Sequence, residues 1–300
     1  MIPFLRSSPP PAARVVARIG LIADTHLPQR LSALPEAVFS ALAGVDLILH
    51  AGDVGELRVL DSLSAIAPVL AVHGNDETEE AQRELPYQQL ISVGGLRLLL
   101  THAHYPDRAE EMAARRDDRW ATKLERRAAM GRRAGAQIVV FGHTHIPFAL
   151  TWGDTILVNP GGIASGNYFT RQLLRSVARL LIDADGGVWV EHCDLDRDSA
   201  PFTAALDLDA GFRAALDRVS APIADAEVLA LWPGLRAQLE PLALNADDRE
   251  RVHSALQALA LPYWDGAPGL ISHAMLIDAL RQHTDAALWA QIAPVLNAAE

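Results

Sequence analysis

The chain has 300 residues, half of them hydrophobic, and a formal net charge of −11. That length suffices for one large domain or two ordinary ones, the acidity argues against broad unaided binding to a nucleic-acid backbone, and no apolar run approaches the roughly twenty residues of a membrane helix. A single cysteine, Cys193, excludes an internal disulfide, and Pro9-Pro10-Pro11 interrupts the stretch where a signal peptide needs its apolar centre, so the expected compartment is the cytoplasm.

Taken in order, residues 1–17 read as a flexible, proline-rich arm. Residues 18–23 form a short apolar run that predicts a buried strand ending at Asp24-Thr25-His26. A helix is expected over 35–43, with Pro35 suited to its first turn. A second strand over 46–51 ends at Gly52-Asp53. A helix over 56–65 then leads to a third strand, 68–72, which ends at His73-Gly74-Asn75-Asp76. This strand–helix alternation predicts an α/β fold with parallel strands and crossovers.

The middle of the chain breaks the rhythm. Residues 88–93 and 96–101 read as a hairpin through Gly94-Gly95, and its second arm ends at Thr101-His102-Ala103-His104. A charged helix over 107–133 precedes the strand 137–141, which delivers Gly142-His143-Thr144-His145. Two further hairpins are expected, 148–152 with 155–158 and 177–182 with 188–192; the first ends at Asn159-Pro160-Gly161-Gly162. From about residue 195 the apolar residues take helical spacing, as in Leu231, Leu235, Leu239 and Leu242, or Val252, Leu256 and Leu259. Residues 201–300 also carry 13 Asp and Glu against 6 Arg and no Lys. The expected division is therefore 1–17, 18–195 and 196–300, the last an all-α extension of four or five helices.

Asp24, His26, Asp53, Asn75, His102, His143 and His145 all follow strands. Open α/β sheets gather ligands at the carboxyl ends of their strands, so residues distant in sequence can converge there. Carboxylate, imidazole and amide oxygen form a mixed donor set that suits Mn²⁺, Fe²⁺ or Zn²⁺ better than a thiolate-selected metal. His50, inside a strand, reads as a core residue or a support for a ligand. His253, His273 and His283 read as surface residues.

These motifs resemble the calcineurin-like metallophosphoesterases, in particular the small phosphodiesterases of the YfcE type, to which the retromer scaffold subunit is related. The resemblance rests on Asp24-Thr25-His26, Gly52-Asp53, Gly74-Asn75, Thr101-His102-Ala103-His104 and Gly142-His143-Thr144-His145, with Asn159-Pro160-Gly161 downstream. It implies a β-sandwich flanked by helices in a four-layer αββα arrangement and a hydrolase with two divalent metal ions. Mn²⁺ is the first expectation, and Fe²⁺, Zn²⁺ and Ni²⁺ are alternatives. By motif position Asp53 bridges the two ions, Asp24, His26 and His145 complete one, and Asn75, His102 and His143 complete the other. Asp53 and Asn75 also act in catalysis, Asn75 on the charge of the phosphoryl oxygens.

Two positions depart from the family pattern. Asp76 stands where many phosphomonoesterases of the superfamily carry a histidine that protonates the leaving group, which favours substrates with good leaving groups. Ala103 stands where the group carries glycine, and alanine resists positive φ. His104, Asp76, His73 and Tyr105 are candidates for substrate contact or for supporting the ligands, with Tyr168 as a further aromatic. The arginines of 107–133 could hold a second phosphate or form a solvated face with i,i+4 ion pairs. The expected activity is phosphodiester hydrolysis of a small phosphoester; the alternatives are hydrolysis of monoesters or nucleoside polyphosphates, and a non-catalytic scaffold. The terminal helices could serve a homo-oligomer or a protein partner. No membrane partner and no broad nucleic-acid surface are expected.

Overall fold

The structure, a computed structural model, describes residues 3–238 and 244–296. They form two compact units, residues 3–164 with 172–219, and residues 165–171 with the described part of 220–296. The chain runs β1 (Phe4–Leu5), β2 (Val15–Ile22), α1 (Glu36–Ala41), β3 (Leu47–His50), α2 (Arg58–Ser64), β4 (Val69–Ala71), α3 (Glu79–Glu84), β5 (Gln88–Val93), β6 (Leu96–Thr101), α4 (Arg108–Arg116), α5 (Trp120–Ala134), β7 (Ile138–Phe141), β8 (Phe148–Trp152) and β9 (Thr155–Asn159). It continues with β10 (Thr170–Gln172), β11 (Ser176–Asp183), β12 (Gly187–Asp194), β13 (Ala200–Phe202), α6 (Gly211–Val219), β14 (Ser220–Pro222), α7 (Ala226–Gln238), α8 (Ala246–Trp264), α9 (His273–His283) and α10 (Ala286–Leu296).

The first unit is a sandwich of two mixed sheets. One has the order β1-β12-β11-β2-β3-β4, with β13 on β12, and the other has the order β5-β6-β7-β9-β8. In the first sheet β2, β3 and β4 are parallel; in the second, β6, β7 and β9 are. Alternation along each strand divides the apolar side chains between two faces. Leu98, Leu100, Ile138 and Val140 meet Ile19, Leu21 and Leu49 in the core between the sheets. Leu99, Val139 and Phe141 face the other way and pack with Trp120, Leu124 and Ala128 of α5. On the outside of the first sheet, Ile48 packs with Val38 and Leu42 of the α1 segment and Val59 and Leu63 of α2. Helix, sheet, sheet and helix are thus four layers, and both faces of the central strands are covered, which explains their nearly continuous hydrophobicity.

Several expectations change on this frame. Residues 3–14 are not a free arm: Phe4 and Leu5 pair with Gly187 and Val188, and Arg6 is ion-paired with the buried Asp183. A two-residue strand is too short to leave a periodic trace. The helix expected over 107–133 is interrupted at 117–119, where the Asp117 carboxylate accepts from the backbone N–H of Arg119 at 3.1 Å and competes with helical pairing. Residues 196–219 join the first unit because α6 buries Ala215 and Val219 and sets Phe212 5.2 Å from the Trp120 ring.

The second unit is built on α7 to α10 with the β10–β14 ribbon. Its core includes Phe169, Val228, Leu235, Leu256, Leu276 and Ile292. Leu239 and Leu242 lie outside the described residues. His273 is not a simple surface residue: its Nδ1 is 2.6 Å from Glu227 Oε1 and its Nε2 is 3.0 Å from Leu296 O, so it ties three helices together. His253 is half-buried against the Tyr168 hydroxyl at 2.8 Å, while His283 is exposed.

Candidate metal centre

The parallel strands of both sheets end at one edge of the sandwich. Asp24 and His26 follow β2, Asp53 follows β3, Asn75 and Asp76 follow β4, His102 and His104 follow β6, and His143 and His145 follow β7. Asp24, His26, Asp53, His143 and His145 all have positive φ, between 45° and 72°. A left-handed non-glycine residue costs roughly 1–2 kcal/mol. Five of them at one edge mean that the chain leaves each strand on a sharp turn that throws its polar side chain into the centre. Ala103 joins them at φ 66°, which answers the concern raised by the missing glycine. Its carbonyl accepts from Arg126 Nη1 at 2.7 Å and its methyl is buried among Trp120 and Leu124, so packing supports the turn.

The candidate ligands interlock. Asp24 and Asp53 are buried, as are His26, His102 and His145. Asp24 Oδ1 lies 3.2 Å from His145 Nε2. Asp53 Oδ2 lies 3.5 Å from His26 Nε2 on one side and 3.3 Å from His102 Nε2 on the other. His102 and His143 face each other through Nε2 and Nδ1 at 3.2 Å. Donor atoms of Asp24, His26 and His145 form one tight group and those of Asp24, Asp53 and His102 a second, each within 4.8 Å. His143 is the outermost of the histidines, and Asn75 is exposed on the turn next to Asp76.

The outer nitrogens explain how the rings are aimed. His102 Nδ1 is 2.8 Å from the Ala51 carbonyl, and His143 Nε2 is 2.8 Å from the Glu111 carboxylate. A neutral imidazole that donates outward keeps its lone pair on the inward nitrogen, the arrangement used by metal-bound histidine. Two such lone pairs 3.2 Å apart repel unless a cation stands between them. This donor set fits divalent metal ions. Burial opposes charge on His102, but Asp53 outweighs it and raises its pKa to about 9. Burial, with His102 adding to it, lowers His143 to about 4 despite Glu111. Burial alone would raise Asp24; His145 and the neighbouring histidines hold it below its usual range.

Supporting residues surround the centre. Glu77 accepts the backbone N–H groups of Val54, Gly55 and Gly74 at 2.9, 2.7 and 2.9 Å, tying the Asp53 loop to the Asn75 turn. Burial, reinforced by Asp53, raises its pKa to about 7. Thr25 donates to the Val54 carbonyl at 2.8 Å and meets His50 Nε2 at 3.0 Å. Asn159 donates to Gly142 O and Thr144 Oγ1 at 2.9 and 3.0 Å and accepts from the Gly161 N–H at 2.8 Å, stapling the His-x-His turn. Glycine also makes room for two carboxylates: a Cβ on Gly142 would lie 2.9 Å from Asp24 Oδ2, and one on Gly74 would lie 2.6 Å from Asp53 N.

His104 is buried between His102 and His143, with ring centroids 5.5 and 6.3 Å away, and burial lowers its pKa to about 3. His73 and Tyr87 stand beside it, at 6.2 and 5.2 Å. Tyr105 lies under Arg126, 3.7 Å from the guanidinium carbon to the ring centre. Of the basic residues in α5, Arg126 grips Ala103 and His104, whereas Lys123 and Arg127 are buried against Phe212 and Phe141. Tyr168 belongs instead to the core of the second unit. Arg30, Glu77 and Glu111 carry no motif spacing of their own; their positions three or four residues beyond Gly74 and His26 were the available signal for the first two.

A family model described as the calcineurin-like phosphoesterase superfamily domain matches residues 18–184. The chain belongs to the calcineurin-like phosphoesterase superfamily. Among its relatives is a probable metallophosphoesterase of Methanothermobacter thermautotrophicus, 37% identical over 143 residues, which are 48% of this chain and 75% of that protein. A probable metallophosphoesterase of Methanocaldococcus jannaschii is 37% identical over 145 residues, 48% of this chain and 66% of its own length. Among solved structures, Vacuolar Protein Sorting 29 from Cryptosporidium parvum has a TM-score of 0.48 at 20% identity and covers 63% of this chain and 95% of that one.

Proposed function

We propose that this protein is a binuclear metal-dependent phosphoesterase that favours phosphodiesters with good leaving groups. The observation that carries the reading is the position of Asp53, whose single oxygen stands between His26 and His102, ligands assigned to different ions. Asp24, His26 and His145 would hold one ion, Asn75, His102 and His143 the other, and Asp53 both. Bound divalent ions, Mn²⁺ first and Fe²⁺, Zn²⁺ or Ni²⁺ as alternatives, would supply Lewis acidity toward phosphoryl oxygens and an acidified water. The protein's own part is orientation: Ala51 and Glu111 fix the rings of His102 and His143, and Asn75 would direct its amide toward the phosphoryl oxygens.

Asp76 supports the choice of substrate. It occupies the position of the expected acid, yet it is ion-paired with Arg30. An ionised carboxylate has no proton to give a leaving group, so unactivated monoesters are disfavoured.

The test is turnover of an aryl phosphodiester and its monoester by metal-loaded protein. Diester hydrolysis should exceed monoester hydrolysis, and Asp53→Ala and His143→Ala should each lose turnover while circular dichroism and melting show a retained fold. Wild-type rates in both variants would end the assignment, and a faster monoester reaction would end the diester preference.

A further inference from the structure

His50 is the last residue of β3, fully buried, and none of the ligand assignments uses it. Its Nε2 lies 3.0 Å from Thr25 Oγ1, and that oxygen lies 2.8 Å from the Val54 carbonyl and 3.3 Å from the Asp53 carbonyl. Carbonyl oxygens only accept, and a hydroxyl has one proton to give. Two oxygens 2.8 Å apart need that proton between them. Thr25 therefore donates to Val54 and accepts from His50, which fixes the imidazole as its Nε2–H tautomer. The other nitrogen, Nδ1, is buried with no hydrogen-bond partner among the described residues. An unsatisfied buried acceptor costs about 1–3 kcal/mol, so an apolar residue would fill this strand position at lower cost. The Nε2–H donor is what the position uses.

That donor acts where backbone strain is concentrated. Thr25 sits between Asp24 and His26, at φ 55° and 45°, and bonds across to the backbone that follows Asp53, itself at φ 52°. The two loops run side by side beyond their strands: Gly52 O accepts from the Asp24 N–H at 3.0 Å, Asp53 O from His26 at 3.0 Å and Val54 O from Leu27 at 3.3 Å. Left-handed non-glycine residues persist only where their surroundings over-determine them. The ladder fixes the loops along their length, and the Thr25 hydroxyl adds a side-chain tie that His50 directs. A hydroxyl that accepts one hydrogen bond donates the other more strongly. We propose that His50 is a positioning residue of the metal centre: by donating to Thr25 it commits the hydroxyl to the Val54 carbonyl and so holds Asp53 in place between the His26 and His102 rings. The inference rests on the reading of these residues as a metal centre. It assigns His50 no ligand bond and no proton transfer; its effect reaches the ions through the backbone.

Two measurements test it. The first is a long-range proton–nitrogen correlation spectrum of the imidazole rings in isotope-labelled full-length protein loaded with diamagnetic Zn²⁺, with His50 assigned by the signal missing in His50→Gln. A neutral Nε2–H ring is expected, and an Nδ1–H ring would overturn the proposal. The second is Mn²⁺ binding by calorimetry, with thermal melting alongside. His50→Leu and Thr25→Val should each weaken Mn²⁺ binding by about tenfold, the scale on which supports of metal ligands act. His50→Gln, which presents an amide N–H at the reach of Nε2, and Thr25→Ser should stay within about threefold of wild type. The double variant of His50→Leu with Thr25→Val should bind no more weakly than either single variant, since both break one relay. Wild-type Mn²⁺ affinity in His50→Leu would overturn the proposal. So would weakening in His50→Gln equal to that in His50→Leu, because packing alone would then account for the residue, and so would losses that add in the double variant. Should His50→Leu fail to fold, Thr25→Val and Thr25→Ser decide: equal Mn²⁺ affinity in the two overturns the proposal. Absence of Mn²⁺ binding in the wild type would overturn it together with the metal-centre reading. Mn²⁺ affinity that depends on His50 in a protein that hydrolyses no phosphoester would remove the hydrolase reading and leave this inference standing. Phosphodiester turnover with Mn²⁺ affinity indifferent to His50 would do the reverse.

Discussion

Replacing Gly74 by alanine tests whether the turn after β4 is shaped around Asp53. Gly74 has no positive φ, so alanine meets no backbone penalty there, and only space is at issue. The added Cβ would stand 2.6 Å from the Asp53 backbone nitrogen and 2.7 Å from its Cγ, with Oδ1 closer still. A carboxylate can rotate away; the nitrogen cannot, because Asp53 is already in the left-handed region at φ 52° and its carbonyl accepts from the His26 N–H at 3.0 Å. Relief therefore requires moving the Asp53 backbone or the Asn75 turn by about 0.8 Å, the shortfall from ordinary van der Waals contact. Overpacking of this kind costs about 1–3 kcal/mol, and displacement of a reacting group by about 1 Å costs on the order of 100-fold in rate. The assay is kcat/KM on an aryl phosphodiester with metal content by elemental analysis, and thermal melting alongside. Gly95→Ala is the comparison: its Cβ meets nothing within 4 Å, but its φ is 79°, so it should lose stability without losing rate per folded molecule. A folded Gly74→Ala protein with wild-type rate and metal content would refute the reasoning.

Asn159→Ala removes the buried amide that pairs with Gly142 O, Thr144 Oγ1 and Gly161 N, and should cost about 2–4 kcal/mol because buried backbone groups lose their partners. Urea unfolding checks this, and a loss below about 0.5 kcal/mol would contradict the staple. His192, buried and 2.8 Å from the Asn159 carbonyl, has its pKa lowered by burial to about 4. The unfolded chain protonates this histidine as pH falls through its model value of 6.5, while the folded chain resists until about 4. Its contribution is therefore complete above 6.5 and is lost between 6.5 and 4. At pH 5 the loss should be about 2 kcal/mol relative to pH 7. His192→Gln should flatten the acid limb of the stability curve by that amount, and an unchanged pH slope would refute the assignment.

The hairpins of β5 with β6 and β8 with β9 were legible because each pairs two short apolar runs across a glycine turn, a signal contained within about a dozen residues. The position of each candidate ligand just past a strand was legible for the same local reason. Other features left no such trace. The break between α4 and α5 depends on one Asp117 turn inside an otherwise helical charge pattern. The departure of 196–219 from the helical extension depends on Phe212 finding Trp120. His273 reads as one more polar residue on a helix until Glu227 and Leu296 are beside it.

Residue order alone determined which chemical groups this protein places at strand ends, because side-chain type and the two-residue and 3.6-residue periods are short-range properties. Tertiary structure decided which of those groups meet. It assigned β11 and β12 to the sheet of β2 rather than that of β7, paired Glu111 with His143 across 32 positions, and set Arg30 against Asp76 across 46. Such contacts carry no sequence period: they exist only after two sheets have closed on a shared core and brought their strand ends to one edge.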